Sequence, residues 1–332
     1  FGRKRVIMWS LAVYALGSMG AALSNSIGML LFFRMVQGFG AGGGGVVARA
    51  VVRDLFKGAD AQRMMSQMTM VFGLAPAIAP VLGGYIDVGL GWRWVFGFSL
   101  LFSVVLGAFC WHYLPESLPP EKRNAFQPKV IAGHYWACLR DPRFMLIVTM
   151  LAFSFAGFSI YIGAASHFVI DILGKTVTDF AVVFVPLVAG LVIGAAIASR
   201  MAYRLSRKQF IVIGFGLQCT AVAFNIGYNL FATQAAVPWA VLPLFIYSFG
   251  VSFVVPAATM AAMDLFPKHQ GLASSIQSCM QMMVFSCSVS IFVPMLYRSS
   301  LLLALGMLTM WSISCLIYAF LRWRFPAKAL PF

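Results

Sequence analysis

Ten long apolar stretches constrain the fold of this chain more than any other feature. Each has about 20 residues, the length that an α-helix needs to cross a bilayer core of about 30 Å. Because lipid offers backbone groups no hydrogen-bond partners, each stretch is predicted to be a transmembrane helix. A membrane β-barrel would instead show short segments of alternating polarity. The stretches lie at 6–24, 28–50, 64–86, 94–114, 144–165, 180–199, 210–229, 239–263, 272–296 and 300–321.

The composition supports the same fold class. The 332 residues are 61% hydrophobic and only 10% charged, whereas a soluble domain carries about 25% charged residues. Too few polar side chains are present to cover the surface of a soluble protein of this size. The sequence therefore predicts an all-α membrane protein.

The basic residues predict its orientation. A net charge of +15 could indicate a nucleic-acid partner, but its distribution indicates topology. Of the 24 Lys and Arg residues, Arg34 lies inside a span, and only Arg93, Lys175 and Arg298 fall on one side of the membrane. The other twenty lie on the opposite side, which the positive-inside rule assigns to the cytoplasm together with both chain ends. The predicted partner is the lipid bilayer, not nucleic acid.

Cysteine and histidine patterns indicate no further chemistry. The six cysteines show no CxxC spacing, and the four histidines are scattered. Neither a disulfide framework nor a metal site is predicted from these spacings. With no HExxH motif or Ser/His/Asp pattern, the sequence predicts neither an enzyme nor a bound cofactor.

An internal repeat suggests a larger parent. The segment "RKRVIMWSLAV" at 3–13 resembles "RKQFIVIGFGL" at 207–217, and "RDLFKG" at 53–58 matches "MDLFPK" at 263–268. Two predicted spans precede the basic pair in the second copy, and none precedes it in the first. We therefore expect that two spans are missing from the beginning and that the parent has twelve, in two six-helix halves of the kind known in transporters.

One polar connection divides the chain. The segment at 115–143 is rich in proline and charge. It separates an N-terminal half at 1–114, with four spans, from a C-terminal half at 144–332, with six. We expect the connection to be a cytoplasmic loop.

A glycine run interrupts the second stretch. Gly38, Gly40 and Gly43 spell G-x-G-x-x-G, but a dinucleotide site would need a preceding strand and an acidic residue about 20 positions later. Neither fits inside an apolar segment of this length. Small residues recur every four positions, at Gly40 and Gly44 and at Gly38 and Gly42, which favours close packing of transmembrane helices.

Arg34 is the one charge placed within a span. An intramembrane arginine is costly and marks a functional site by default, with snorkelling to the membrane surface as the alternative. No predicted span contains Asp or Glu. A counter-charge is therefore expected from outside this chain, in the missing spans.

These residues carry a resemblance to a known family. "RMVQGFGAG" resembles motif B of the major facilitator superfamily, with Arg34, Gln37 and Gly38 in its places. "FGRKR" is similar to the tail of motif A. "LPESLPPEKRNAF" and "FSFAGF" resemble the bicyclomycin-resistance (Bcr/CflA) type of drug:proton antiporter. The likeness extends over essentially the whole chain.

A second motif is typical of antiporters. "GLAPAIAPVLGG" at 73–84 resembles motif C, except that Ala79 stands where a glycine usually precedes the proline. Proline removes a helix hydrogen bond and glycine removes bulk, so a bent, closely packed helix is expected. In the family this helix lies at the junction between halves and hinders leak. The motif residues are Gly73, Pro76, Pro80, Gly83 and Gly84.

The resemblance also implies a gate and a pocket. Arg3 and Asp54 resemble the family's cytoplasmic charge relay, with an exposed surface pair of little energetic value as the alternative. A drug pocket should be apolar with a few polar groups. Its candidate residues are aromatic or amide side chains at helical spacing, for which helix packing is the alternative: Phe155, Phe158, Tyr161, Gln218, Asn225, Gln277 and Gln281.

The function implied is export of lipophilic drugs or other toxic small molecules across a bacterial inner membrane in exchange for protons. A proton gradient supplies the energy, the two halves rock in alternating access, and a monomer is expected. Two alternatives remain open. A proton-coupled transporter of a narrow metabolite or nutrient would share the fold, and a truncated fragment would be inactive. A passive channel would show pore-lining charge rings or filter loops, which this sequence lacks.

Overall fold

The computed structural model describes residues 2–55, 75, 78–117, 128–201, 204–232, 235–267 and 270–326. Within these ranges all regular structure is helical, which confirms the all-α part of the predicted fold class. The helices are α1 (Arg3–Ala22), α2 (Ile27–Leu55), α3 (Ile78–Leu90), α4 (Trp92–Tyr113), α5 (Pro128–Arg140), α6 (Pro142–Ala156), α7 (Ser159–Gly163), α8 (Ala165–His167), α9 (Ala181–Met201), α10 (Arg207–Phe231), α11 (Leu242–Asp264), α12 (Gln270–Cys287), α13 (Val293–Leu296) and α14 (Ser300–Arg324).

Most predicted spans are found as single helices. Seven helices in the described ranges are long and apolar enough to cross a membrane, namely α1, α4, α9, α10, α11, α14 and α12 with its continuation to Leu296. Helix α2 has 29 residues and covers the second predicted stretch. Helices α3 and α6 are apolar but shorter. The count of ten spans out of twelve stays a prediction.

The chain divides into two compact units. The first comprises Phe1–Ala75 and Val81–Phe126, and the second comprises Pro76–Pro80 and Gln127–Phe332. The break after Phe126 falls inside the connection predicted at 115–143. That connection is not loop throughout, because it contains α5, which the sequence analysis did not predict. Asp141 then caps α6 by accepting hydrogen bonds from the backbone N–H groups of Arg143 and Phe144.

The predicted span at 144–165 is broken. Helix α6 ends at Ala156, and helical structure resumes at Ser159. The cause lies on α11, where the Tyr247 hydroxyl donates to the Ser154 carbonyl at 3.0 Å and occupies the space beside Gly157 that a Cβ would need. A side chain inserted into a helical hydrogen-bond ladder bends or interrupts it.

Helices α1 and α2 cross closely at glycines. A Cβ on Gly40 would lie 2.7 Å from the Ser10 carbonyl oxygen and closer still to the Tyr14 backbone nitrogen, and one on Gly43 would clash with the Ser10 hydroxyl. Only glycine permits backbones to approach this far. The glycine run is thus continuous helix and a packing surface, not a nucleotide loop.

The packing surface differs in register from the predicted one. The glycines that contact α1 are Gly40 and Gly43, three residues apart. A Cβ on Gly38, Gly42 or Gly44 would find no atom of the described residues within 4 Å. The four-residue spacing therefore does not identify the glycines that contact α1. Residues three apart also share a helix face, and that is the spacing found here.

The second unit repeats this crossing. A Cβ on Gly250 of α11 would lie 2.7 Å from the Gly214 carbonyl oxygen and 3.1 Å from the Gln218 backbone nitrogen of α10. Gly214 and Gln218 lie 204 positions after Ser10 and Tyr14, and Gly250 lies 210 positions after Gly40. The offsets are those of the sequence repeat, so the same contact between the same backbone atoms is made in each unit.

We predict that Gly40→Leu and Gly250→Leu each lower the melting temperature of the full-length protein in detergent. Forcing a side chain against packed backbone costs about 1–3 kcal/mol. Tryptophan fluorescence during heating measures the change. Gly216→Leu is the matched control, since its added Cβ meets nothing within 4 Å and leucine is the better helix former. Equal melting temperatures for the Gly250 and Gly216 variants would contradict the crossing.

Candidate functional site

Arg34 is part of a hydrogen-bonded chain in the first unit. Its Nη1 donates to Gln37 Oε1 at 2.6 Å, and Gln37 Nε2 donates to Ser18 Oγ at 2.8 Å. Ser18 Oγ in turn donates to the Tyr14 carbonyl at 2.9 Å. Gln37 and Ser18 are buried, with 3% and 0% of their surfaces exposed. These hydrogen bonds fix one edge of the Arg34 guanidinium and link α2 to α1.

The rest of the Arg34 guanidinium is open. The residue is exposed, and its guanidinium carbon lies 5.8 Å from the centre of the Phe96 ring on α4. Among the described residues no carboxylate forms an ion pair with it. The unit therefore presents a positioned cation within α2, in the second predicted span, and such a group is suited to an anionic partner. Gln37 positions Arg34, whereas a Cβ added to Gly38 would meet no atom of the described residues within 4 Å.

Each unit holds an ion pair at the equivalent place. Arg3 Nε lies 3.1 Å from Asp54 Oδ2, and Arg207 Nη1 lies 2.5 Å from Asp264 Oδ2. Each arginine begins a helix, α1 or α10, and each aspartate ends the next long helix. The separations in sequence are 51 and 57 residues, so six additional residues separate the pair in the second unit. The geometry places the Arg3–Asp54 pair as the sequence predicted and adds a second pair.

Further polar groups gather around Arg3. The Arg3 backbone N–H donates to Glu116 Oε1 at 2.7 Å, and Ser117 Oγ donates to Asp54 Oδ2 at 3.2 Å. Glu116 and Ser117 follow α4, so three elements meet at this end of the unit. Neither Glu116 nor Ser117 could be predicted from the sequence, because nothing in its spacing joins positions 3, 54 and 116.

The antiporter motif is only partly described. Gly73 and Pro76 lie outside the described residues. Pro80 lies in the first turn of α3 as described, Gly84 is buried, and a Cβ on Gly83 would meet nothing within 4 Å. A bend that hinders leak stays a prediction.

The pocket candidates of the second unit form buried pairs. Gln218 Nε2 donates to Ser154 Oγ at 2.8 Å, and Asn225 Nδ2 donates to the Tyr161 hydroxyl at 2.8 Å. Asn229, one turn further along α10, donates to Asn225 Oδ1 at 3.0 Å. Gln218, Asn225 and Tyr161 are at most 1% exposed. These side chains tie α10 to α6 and α7, and a substrate would reach them only by breaking those bonds.

The aromatic candidates divide between core and surface. Phe158 is buried and lies 4.7 Å from Phe155, ring centre to ring centre. Phe155 is partly exposed and also lies 6.2 Å from Phe285 of α12. Phe285 was not among the predicted pocket residues. The Phe155–Phe285 pair is therefore more accessible to a lipophilic molecule than Phe158 or Tyr161.

The two glutamines of α12 lie apart from these pairs. Gln277 Nε2 donates to Thr259 Oγ1 at 2.8 Å, while its buried Oε1 has no hydrogen-bond partner among the described residues. Gln281 is half-buried. Their i, i+4 spacing puts both on one face of α12, but the structure does not bring them to Asn225 or Tyr161. The predicted residues thus form two groups.

We predict that Ser154 and Gln218 couple energetically. Ser154→Ala, Gln218→Met and the double variant complete a cycle whose coupling should be about 0.6 kcal/mol, the average for hydrogen bonds between membrane helices. Reversible unfolding in mixed micelles measures it. The cycle of Ser154→Ala with Gln277→Met is the control and should be additive, because Gln277 bonds to Thr259 instead. Additivity in both cycles would refute the bond.

Comparison with known proteins relates this chain to a family of membrane transporters. The family model described as Major Facilitator Superfamily matches residues 1–289. Among curated proteins, the chain is 28% identical over 283 residues to a "Bicyclomycin resistance protein homolog" of Haemophilus influenzae, covering 83% of this chain and 69% of the relative. It is 25% identical over 286 residues to "Multidrug resistance protein D" of Escherichia coli, covering 84% and 69%.

A further relative and a solved structure agree. A "Chloramphenicol resistance protein" of Pseudomonas aeruginosa is 23% identical over 304 residues, covering 90% of this chain and 70% of the relative. The crystal structure of a D-xylose-proton symporter matches the fold with a TM-score of 0.69 at 14% identity, covering 96% of this chain and 81% of that one. Because the family model matches most of its length, the chain belongs to the Major Facilitator Superfamily, a family of secondary membrane transporters and not of enzymes.

Proposed function

We propose that this chain is the transport core of an exporter that expels lipophilic drugs or other toxic small molecules across a bacterial inner membrane in exchange for protons. The observation that carries the proposal is Arg34. Its guanidinium is held on one side by Gln37 and has no carboxylate partner among the described residues. The names of three relatives concern resistance to bicyclomycin, chloramphenicol or several drugs, and this supports a role in drug export.

A proton-coupled exporter needs a titratable group near the membrane centre. Asp54 and Asp264, the carboxylates of the two ion pairs, lie at helix ends. A cation within about 4–6 Å lowers the pKa of a carboxyl group. Arg34 would therefore lower the proton affinity of a carboxyl group that approaches it in one conformation. In the other conformation the two groups would be apart, and the proton affinity of the carboxyl group would rise again. This couples proton uptake to the conformational change.

The ion pairs suit a gating role. Arg3 with Asp54, and Arg207 with Asp264, each fasten the beginning of one helix to the end of the next on the predicted cytoplasmic side. All four side chains are between one quarter and two fifths exposed, so each pair is accessible to water and is broken at small cost. Such contacts can form in one state and open in the other during alternating access.

The drug-binding surface is proposed at the accessible aromatic pair. Phe155 and Phe285 pack with their ring centres 6.2 Å apart, and half-buried Gln281 lies one turn before Phe285 on α12. Apolar rings with one amide suit a lipophilic molecule carrying few polar groups. The buried hydrogen bonds of Gln218 and Asn225 hold α6 and α7 against α10 and so fix the position of the helix that carries Phe155.

We predict that drugs evoke proton movement through the full-length protein. Everted vesicles energised to an acid interior are given lipophilic cations or neutral antibiotics while a pH-sensitive dye is followed. The wild type should release protons on drug addition, and Arg34→Ala at equal expression should respond no faster than vesicles without the protein. The loss is expected because Arg34 is the basic residue that the sequence predicts inside a span, where it can approach a carboxyl group away from the membrane surface.

Arg93→Ala is the matched control. This exposed arginine of the same unit donates to the Ser24 carbonyl at 3.1 Å, just before the beginning of α2, and its removal should leave the proton response. No response of folded wild type to any drug would overturn the multidrug proposal. A response to a single nutrient instead would favour the narrow-substrate alternative.

A further inference from the structure

A groove runs along the outside of the first unit between α1 and α4. Its volume is about 630 Å³, and its lining is almost wholly apolar. Small side chains keep it open, because a Cβ on Gly107 would meet nothing within 4 Å. The lining includes Ala12 of α1 and, on α4, Ser103, Gly107, Trp111 and His112.

The groove has the length of one leaflet. Along α4 it extends from Ser103 to His112, which is about 13–14 Å at 1.5 Å per residue. Half of a bilayer core of about 30 Å is about 15 Å. Lys4 Nζ donates to the Trp111 carbonyl at 2.6 Å, so the beginning of α1 and the end of α4 lie at the same end of the groove. This end is the predicted cytoplasmic one.

The cytoplasmic end of the groove is positively charged. The Lys4 ammonium lies 5.6 Å from the centre of the Trp111 ring and keeps two N–H groups beyond its bond to the Trp111 carbonyl. Arg5 is exposed. Of the carboxylates in the described part of this unit, the two that bond to the beginning of α1 face Arg3 instead, since Asp54 accepts from its guanidinium and Glu116 from its backbone N–H.

An exposed tryptophan marks the same level. Trp111 is 68% exposed, and tryptophan is enriched at the membrane–water interface, where lipid headgroups lie. The order along the groove is thus basic side chains, an interfacial aromatic ring, and a shallow apolar channel. This is the order of headgroup, interface and acyl chain in one phospholipid.

We propose that this groove binds an anionic phospholipid of the inner leaflet, with one acyl chain between α1 and α4 and its phosphate at Lys4 and Arg5. The proposal is independent of the transported substrate. A phospholipid fits the groove better than the other occupants do, because a lipophilic drug would not need the basic end and an apolar helix would leave that end without an anionic partner.

Native mass spectrometry of the full-length protein, with phosphatidylglycerol or phosphatidylcholine of identical chains, tests the proposal. Wild type should retain phosphatidylglycerol in preference. Lys4→Gln and Arg5→Gln should each reduce that preference about fivefold, which corresponds to the attraction of one basic side chain to an anionic surface. Gly107→Leu should abolish retention of both lipids, whereas Gly216→Leu, another glycine with open surroundings, should not.

A second readout locates the lipid. Brominated phosphatidylglycerol should quench the fluorescence of Trp111, taken as the difference between wild type and Trp111→Phe. Ala12→Leu fills the groove from α1 and should remove this quenching if Gly107→Leu fails to fold. Equal retention of the two lipids by wild type, undiminished retention by both groove-filling variants, or absence of Trp111 quenching would each overturn the proposal. The last result would indicate that a drug or another helix occupies the groove.

Discussion

The structure depends on two helices crossing at backbone contact, once in each unit. Gly40 meets the backbone of Ser10 and Tyr14, and Gly250 meets that of Gly214 and Gln218. In lipid, helices gain little from burying apolar side chains against each other, so close packing through small residues supplies the attraction. The crossing brings the start of one helix to the end of the next, where the ion pairs form. It also brings Ser18 within reach of Gln37.

The helix crossing and its ion pair are duplicated, but the polar side chains between the helix ends are not. The repeat pairs Arg34 with Leu244, which is fully buried, and Gln37 with Tyr247, whose hydroxyl interrupts the helix beginning at Pro142. It pairs Tyr14 with Gln218, the amide that bonds to Ser154. One unit thus presents a cation and the other a set of satisfied hydrogen bonds. A transporter that couples proton movement in one half to substrate binding in the other would show this asymmetry, and we propose that division here.

The sequence predicted the features that depend on composition and on local repeats. Long apolar stretches predicted the helices, and the matched "DLF" segments predicted the relation between the units. Both patterns can be read from the sequence because neither depends on contacts between distant residues. The Arg3–Asp54 pairing followed from the family resemblance. The glycine register was missed, since spacings of three and four both define a helix face and only the position of α1 decides between them.

Other features depend on contacts that no local pattern encodes. The break after Ala156 is caused by Tyr247, which is 93 positions from Ser154. Glu116 and Ser18 become partners of Arg3 and Gln37 only through the packing of separate helices. The pocket candidates Gln218 and Asn225 looked like substrate contacts because buried amides in membrane helices serve both recognition and helix association. The structure pairs Gln218 with Ser154 and Asn225 with Tyr161 inside the unit, and their contact with a substrate stays a prediction.

A charge-exchange experiment tests the duplicated ion pair most directly. Arg3→Asp and Asp264→Arg, like Asp54→Arg and Arg207→Asp, should each lower drug-dependent transport by the full-length protein. Transport should recover in Arg3→Asp/Asp54→Arg and in Arg207→Asp/Asp264→Arg, because each double variant restores one pair in reverse. The mixed variant Arg3→Asp/Asp264→Arg should not recover, since those residues belong to different pairs. Recovery in the mixed variant, or in neither matched one, would contradict two separate and equivalent ion pairs.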